Sequence, residues 1–170
     1  MKKVILMFLF ALIATTGFSQ GNDVQIFREK DQMSDKIYTY TDRRIVLAND
    51  ERTKGFSVDA YVQNGLSDLT IVIKMVGLGS CNENDEIIIL FENGEKMIKK
   101  SIGEFNCKGQ ALFLLNDKEK QLLRSQPISK IRITNGRTYD SFTGDVKVED
   151  KRYFIQLFYS LDNNLVKNKS

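Results

Sequence analysis

Apolar and polar residues alternate strictly over residues 56–63, with apolar side chains at the even positions and Ser, Asp, Tyr and Gln at the odd positions. This period of two is typical of a strand that has one buried face. Residues 64–65 are Asn-Gly, and a two-residue turn there places Val58 opposite Ile71, so that the apolar faces of both arms coincide. The pattern predicts a hairpin with this register.

Two further Asn-Gly pairs lie between apolar runs and predict two more hairpins. Both central residues of a type I′ turn need positive φ, a conformation that asparagine and glycine adopt most readily. The pairs and the arms that they join are residues 93–94 between 86–91 and 96–100, and residues 135–136 between 128–134 and 137–142. Such short connections join antiparallel strands.

Three more segments predict strands, because they are rich in β-branched, aromatic or aliphatic residues. These segments are residues 37–41, 44–47 and 111–115. The last is apolar on both faces and predicts a central strand. After it, Asn116 is a suitable N-cap for a short helix near residues 117–125, which ends before Pro127.

A second helix is predicted near residues 150–162, with Asp150 as its N-cap. Its apolar residues recur at helical spacing. They are Tyr153, Phe154, Leu157, Phe158 and Leu161. A strand over residues 152–159 is the alternative, because aromatic residues favour sheets. Together the elements predict a mostly β fold, an antiparallel β-sandwich or open barrel built from hairpins, with the last helix on one face or edge.

The first 19 residues have the pattern of a cleaved signal peptide. Lys2 and Lys3 precede an unbroken apolar run over residues 4–14, and a small-x-small pattern follows. The run is about half the ~20 residues that a membrane-spanning helix needs. A buried N-terminal helix or a membrane anchor is the alternative. We expect residues 1–19 to be removed and residues 20–170 to form a single β-rich domain without a transmembrane span. This domain is exported to the periplasm or the cell exterior.

Loss of the leader brings the charge of the chain close to balance. Because Lys2 and Lys3 are removed, the Lys and Arg count falls from 25 to 23 against 22 acids, and the net charge falls from +3 to +1. A nucleic-acid partner needs a clustered positive face, whereas basic and acidic residues are mixed along this chain. We predict no nucleic-acid partner.

Cys81 and Cys107 are the only cysteines, and an oxidising compartment favours a disulfide between them. The hairpin predicted at residues 93–94 supports this pairing, since its register places position 81 opposite position 106. One bulge near Gly103 would then bring the two sulfurs together. The alternative is a reactive thiol, which would have to act without a histidine to activate it.

The chain contains no histidine, which excludes Ser-His-Asp and Cys-His catalysis and histidine-rich zinc sites. Residues 77–80 are Gly-Leu-Gly-Ser, but Asn82 occupies a position where a dinucleotide loop or a nucleophile elbow needs glycine. We interpret the oxygen-rich residues 82–86 as a solvated acidic turn, with a weak calcium site as the alternative. We predict no cofactor, no metal site and no enzymatic activity. A hydrolase that uses paired carboxylates is the least favoured alternative.

The remaining function is binding without turnover, on the exposed face of a sheet. Tyr61 and Tyr139 occupy outward-pointing positions, where aromatic rings stack on sugars or form protein contacts. Lys130 and Arg132 lie beside Tyr139 in the predicted hairpin. These four residues are the candidate site of a binding or accessory domain of the cell envelope, whose ligand is a glycan or an envelope protein. A structural protein or an inhibitor of a neighbouring enzyme is the alternative.

Residues 105–115, FNCKGQALFLL, are followed by the short helix and by residues 127–133, PISKIRI. This succession, together with a leader that ends Phe18-Ser19-Gln20, resembles small uncharacterised secreted proteins of the Bacteroidetes. The resemblance covers roughly residues 80–160 and implies an exported β-rich domain. It implies no activity and no site residues.

Overall fold

The computed structural model describes residues 24–30, 33, 37–63, 68–79, 81–103, 105–163 and 166–168. The predicted leader, residues 1–19, and the Asn-Gly pair at residues 64–65 lie outside the described residues. Within the described residues, no helix has both the length and the apolar character needed to cross a bilayer.

Eleven strands and two helices follow one another along the described residues. Their bounds are β1 (Ile26–Lys30), β2 (Ile37–Thr41), β3 (Ile45–Ala48), β4 (Gly55–Gln63), β5 (Asp68–Val76), β6 (Glu86–Phe91), β7 (Lys96–Lys100), β8 (Gln110–Leu114), α1 (Asp117–Ser125), β9 (Ile128–Thr134), β10 (Ser141–Asp145), α2 (Tyr153–Asp162) and β11 (Val166–Asn168).

The strands form two sheets whose inner faces share one hydrophobic core. The larger sheet has the order β11-β1-β2-β4-β5-β8, with β3 also paired to β4, and the smaller has the order β10-β9-β6-β7. Among the described strands, every pairing is antiparallel except that of β1 with β11. The sheets meet where the rings of Phe56 and Phe142 lie edge to face, with 6.0 Å between their centroids. This arrangement confirms the predicted β-sandwich built from hairpins.

The hairpin of β4 and β5 has the predicted faces but a different register. The even-numbered residues of β4 are buried, as the alternation predicts. Val58 lies opposite Ile73, however, and not opposite Ile71. The predicted register is therefore wrong, and residues 64–67, which include the predicted Asn-Gly turn, lie outside the described residues. A shift of two residues keeps every apolar side chain on the same face, so the alternation does not distinguish the two registers.

The hairpin of β6 and β7 turns through three residues, and not the predicted two. Phe91 N–H donates to the carbonyl of Glu95 at 3.0 Å, and Gly94 N–H donates to the carbonyl of Phe91 at 3.1 Å. Gly94 has a φ of +86°, the left-handed conformation that ends a three-residue hairpin loop. Asn93 supports the loop, because its Oδ1 accepts the N–H of Glu95.

The third Asn-Gly pair does not form a two-residue turn either. Residues 135–140 connect β9 to β10. Asn135 is fully buried, and its side-chain oxygen accepts the N–H groups of Arg137 and Thr138 at 2.9 and 3.1 Å. A longer loop that is organised by this side chain replaces the predicted turn.

Strand β8 lies at the edge of the larger sheet, so the predicted central position is wrong. One side of β8 pairs with β5. On the other side, the only pairing among the described residues is an isolated bridge between Leu112 and Ile102. Its inner residues are buried, whereas Leu112 and Leu114 are 39% and 42% exposed. An apolar run is compatible with a central or an edge strand, because periodicity does not report how many neighbours a strand has.

Helix α1 begins as predicted. The Oδ1 atom of Asn116 accepts the N–H of Glu119 at 2.9 Å, and the Glu119 carboxylate accepts the N–H of Asn116 at 2.8 Å. This reciprocal pair is a capping box. Leu123 is fully buried and Leu122 is partly buried against the core.

Helix α2 confirms the predicted C-terminal helix and excludes the strand alternative. It begins at Tyr153, and the prediction of Asp150 as N-cap is wrong. Asp150 lies in the preceding turn, where its carbonyl accepts the N–H of Tyr153 at 3.0 Å. Ser160 ties the helix to the segment before β1, because its hydroxyl donates to the carbonyl of Val24 at 3.1 Å. The predicted apolar face is buried, at Tyr153, Phe154, Leu157 and Phe158.

The predicted disulfide between Cys81 and Cys107 is present. It lies beside an isolated antiparallel bridge of Asn82 with Asn106. The β6–β7 pairing ends at Glu86 with Lys100. From that pair to the bridge, the segment that leads to Asn106 is two residues longer than the segment that leads to Asn82. The insertion includes Gly103, which has a φ of +99°. Two extra residues replace the predicted single bulge, because the hairpin loop is one residue longer than predicted.

Candidate ligand-binding groove

An open groove of about 750 Å³ lies beside the β3–β4 loop, at one end of β3, β4 and β5. Strand pairing places Val46 opposite Ser57, and Ser57 opposite Lys74, in one row across the outer face of the larger sheet. The exposed side chain of Val76 continues this floor. The floor is therefore partly apolar and carries a basic residue.

The β3–β4 loop, residues 49–54, forms a wall of the groove. Asn49 organises this loop, because its N–H donates to the carbonyl of Lys54 at 2.9 Å and its Oδ1 accepts the N–H of Lys54 at 2.9 Å. Arg52 N–H donates to the carbonyl of Asn49 at 2.9 Å, and these bonds hold Arg52 at a φ of +57°. Gly77 lies so close that a Cβ there would collide with the loop backbone. The wall is thus formed before a ligand binds.

Basic residues dominate the lining of the groove. Its charged residues are Arg52, Lys54, Lys74, Lys147 and Asp50. Lys54 lies 4.0 Å from a carboxylate oxygen of Asp140, at the limit of an ion pair. Within the described part of the chain, Arg52, Lys74 and Lys147 form no salt bridge. The groove is therefore a concentrated positive region on a chain whose charges are otherwise mixed.

The surroundings of Lys147 also include Asp150, in the turn before α2. Burial raises the pKa of the Asp150 carboxyl, while Arg43 and Lys147 act in the opposite direction. Arg43 Nη2 lies 3.7 Å from Asp150 Oδ1 and is the direct partner of this carboxylate. Lys147 therefore lies close enough to Asp150 to lower the pKa of its carboxyl, and it also lines the groove.

Guanidinium and ammonium groups around a partly apolar floor suit a ligand that bears carboxylate, sulfate or phosphate groups. Arginine binds such groups through two parallel hydrogen bonds, and lysine binds them as a point charge. Among the described residues, no three His, Cys, Asp or Glu side chains cluster in a way that suits a metal ion. What the groove offers is the binding and orientation of negative charge.

The chain matches no protein-family model, no curated protein and no solved structure. Its function is therefore inferred from the residues of the groove.

The four binding residues predicted from the sequence lie in three places, outside the groove. Tyr61 is half-buried on β4, on the outer face of the larger sheet. Lys130 and Arg132 project from the outer face of the smaller sheet, where Lys130 Nζ lies 2.7 Å from a carboxylate oxygen of Asp145. Tyr139 is 80% exposed in the β9–β10 loop.

The structure brings Lys130 and Arg132 together but does not place Tyr139 beside them on a strand. In the predicted two-residue turn, Arg132 would face position 139, whereas it faces Thr143 on β10. The longer loop shifts the second arm, and it holds Tyr139 at a φ of +60°. A binding role for Tyr61, Tyr139, Lys130 and Arg132 stays a prediction.

Sequence reasoning missed the groove because its basic residues are far apart along the chain. Arg52 and Lys54 lie in a loop, Lys74 lies on the next strand, and Lys147 follows the last strand of the smaller sheet. The one local signal is Lys74, which is a charged residue within the otherwise apolar second half of β5. A single lysine on an outer face is common, so this signal does not distinguish a site from a solvated strand.

Proposed function

We propose that this protein is an exported, non-catalytic binding domain of the cell envelope, and that its basic groove binds an anionic envelope polymer. The observation that carries the proposal is the groove: four basic side chains and one acidic side chain over a partly apolar floor. Positive charge raises the local concentration of an anionic ligand, and a preformed wall lowers the entropy lost on binding.

Export is supported by the leader pattern of residues 1–19, by the resemblance to secreted proteins and by the disulfide. Disulfides persist in the periplasm and outside the cell, and they are rare in a reducing cytoplasm. Both cysteines of the chain are paired. We expect the exported protein to begin at Gln20, and its intact mass measures this. A mass that still includes residues 1–19 would contradict export by cleavage.

Binding without turnover is supported by the composition of the chain and by the openness of the groove. Without histidine, catalysis at neutral pH depends on carboxylates, hydroxyls and amines whose pKa values an enclosed site has shifted. The four basic residues of the groove are exposed to solvent instead. Hydrolysis of any tested polymer by the pure protein would contradict this part of the proposal.

Two charge-matched double variants test the groove. Arg52→Ala with Lys74→Ala removes two charges from the groove, and Lys130→Ala with Arg132→Ala removes two charges from the outer face of the smaller sheet. Calorimetric titration of each variant and of the wild type uses polygalacturonate, polyphosphate and neutral dextran, at low and at high salt. Circular dichroism confirms that each variant is folded.

We expect the groove variant to bind the preferred anionic polymer at least about tenfold more weakly, because charge-assisted hydrogen bonds are lost. The control variant should bind as the wild type does, dextran should not bind, and high salt should weaken the interaction. Loss of binding in the control variant alone would move the site to Lys130 and Arg132. No binding of either anionic polymer by the wild type would contradict the proposal.

An exposed apolar edge favours a second candidate function, contact with an envelope protein. Ile102, Leu112 and Leu114 expose apolar side chains at β8, and grouped apolar side chains on a surface are typical of protein contacts. This edge would serve a structural protein or an inhibitor of a neighbouring enzyme, which is the alternative function that the sequence suggests. Leu112→Ser with Leu114→Ser should then abolish cross-linking to an envelope protein in cells, while the groove variant should leave it unchanged.

A further inference from the structure

The outer face of the smaller sheet presents three rows of side chains, and the register of its four strands fixes which residues share a row. Across β7, β6, β9 and β10, the rows are Lys100-Glu86-Thr134-Ser141, Ile98-Ile88-Arg132-Thr143 and Lys96-Leu90-Lys130-Asp145. Because neighbouring strands lie about 4.8 Å apart, the face is about 14 Å wide. Charged and aliphatic side chains are therefore neighbours on one open surface.

Aliphatic residues occupy the middle of this face. Ile98 is 58% exposed and lies directly opposite Ile88, which is partly exposed, as is Leu90 in the next row. The face of an antiparallel sheet that meets water is usually polar. Three aliphatic side chains at adjacent positions are instead typical of a surface that contacts another molecule.

Basic residues flank the aliphatic ones on β7 and on β9. All four are exposed, and they are Lys96, Lys100, Lys130 and Arg132. Against the two acids of the face, Glu86 and Asp145, they leave a net charge of +2. Asp145 pairs with Lys130 at 2.7 Å, whereas no salt bridge among the described residues involves the other three basic residues. The face therefore complements a negatively charged partner, and two copies of it would repel each other.

The composition of the face favours a lipid surface over a protein partner. Protein interfaces are enriched in aromatic residues and depleted in lysine. The three rows contain no aromatic residue, and three of their four basic residues are lysines. Anionic headgroups attract surface lysines, and aliphatic side chains enter the boundary between headgroups and acyl chains. An open face also lacks the walls that the groove offers to a single polymer chain.

We propose that the outer face of the smaller sheet docks on an anionic lipid bilayer, with Ile98 at the centre of the contact and Lys96 and Lys100 against the headgroups. The groove lies on the outer face of the other sheet. A protein docked in this way would therefore keep the groove open to the polymer of the proposed function. The docking itself does not depend on that function.

A tryptophan probe tests which face meets the bilayer. The chain contains no tryptophan, so Ile98→Trp introduces a single probe into the face. Val76→Trp is the matched control, because Val76 lies in the groove and is equally exposed, at 58%. With oxidised mature protein and vesicles of equimolar phosphatidylglycerol and phosphatidylcholine, we expect the emission of Ile98→Trp alone to shift to shorter wavelength. Vesicles of phosphatidylcholine alone, or high salt, should abolish the shift.

Sedimentation with the same vesicles tests the charges. Lys96→Gln with Lys100→Gln should lower the partition coefficient at least about tenfold, because each lysine near an anionic surface contributes to binding. Arg52→Gln with Lys74→Gln removes two charges from the groove and should change it less than about twofold. Circular dichroism confirms that both variants are folded. Titration with the anionic polymers should give the opposite order, so that failure of the docking and failure of the proposed function are distinguishable.

Three outcomes would overturn the docking. The first is wild-type protein that does not sediment with the anionic vesicles, and the second is an equal loss of partition in the two double variants. The third is a spectral shift in Val76→Trp alone, which would show that the groove meets the bilayer. In the first case, sedimentation with native envelope membranes that is lost after protease treatment of the membranes would assign the face to an acidic protein instead.

Discussion

At the scale of single residues, Tyr153 connects the first turn of α2 to the larger sheet. Its hydroxyl lies 2.8 Å from the hydroxyl of Thr41 at the end of β2, and its side chain is fully buried. Burial raises the pKa of this phenol to about 12, against the opposing effect of the hydrogen bond with Thr41. An unfolded tyrosine ionises near pH 10. The unfolded chain therefore loses this proton at a lower pH than the folded protein does.

We expect the free energy of unfolding to fall with rising pH between about pH 10 and pH 12, by up to about 3 kcal/mol from Tyr153. The contribution is complete below pH 10 and is lost as the pH passes the folded pKa of about 12. Tyr153→Phe should remove this dependence, and it should cost about 1 kcal/mol at pH 7 through the lost hydrogen bond. Urea unfolding at several pH values measures both effects. Tyr159→Phe, on the exposed side of the same helix, is the control, and equal pH profiles for the two variants would contradict the assignment.

At the scale of elements, α2 completes the core and supports α1. The inner face of α2 is buried in the hydrophobic core that the sheets share, and Ser160 connects the helix to the segment before β1. Arg124 of α1 lies 2.6 Å from the Asp162 carboxylate and stacks 4.6 Å from the ring centre of Phe158. The sequence places both helices late in the chain, after most strands of the larger sheet. Packing of α2 therefore depends on strands that precede it by more than a hundred residues.

We expect Leu157→Ala to lower the free energy of unfolding by about 2–4 kcal/mol, through lost burial and the cavity that remains. Urea unfolding measures the change. Tyr159→Ala makes a larger truncation on the outer side of the same helix, and it should cost less than about 1 kcal/mol. If the free energy of unfolding falls by a similar small amount in both variants, the helix is not an integral part of the core. Truncation after Glu149 should then be tolerated.

At the scale of the whole molecule, the disulfide joins the two connections, β5 to β6 and β7 to β8, through which the chain passes between the sheets. Cys81 precedes β6 of the smaller sheet, and Cys107 precedes β8 of the larger sheet. The bridge closes a loop that contains the whole β6–β7 hairpin. Closing such a loop lowers the conformational entropy of the unfolded chain, which stabilises the folded state.

We expect Cys81→Ser with Cys107→Ser to lower the free energy of unfolding by about 2–4 kcal/mol. Thermal unfolding of the double variant measures this, and the wild type under reducing conditions should unfold at nearly the same temperature. Two free thiols in protein purified from the periplasm, counted by non-reducing peptide mapping, would refute the bridge in the exported protein. An unchanged Tm after reduction would show that the bridge adds no stability.

Local patterns in the sequence determined the element types and their buried faces. The alternation in β4, the capping residue Asn116 and the helical stripe of α2 each depend on neighbours in the chain, so a short window contains the necessary information. The pairing of Cys81 with Cys107 was also predictable, because a compartment argument and a hairpin register agreed. The candidate groove was not predictable, since Lys74 and Lys147 become neighbours only when distant strands pack.

The tertiary structure alone decided registers, edges and the roles of the two Asn-Gly pairs at residues 93–94 and 135–136. Residues 93–94 lie in a three-residue loop, whereas Asn135 is buried and holds a longer loop by hydrogen bonds to the backbone. Strand β8 is at an edge although its sequence is apolar on both faces. A shift of two residues leaves a strand's faces unchanged, and an apolar run does not encode its number of neighbours. These choices are made by long-range packing, which no local pattern contains.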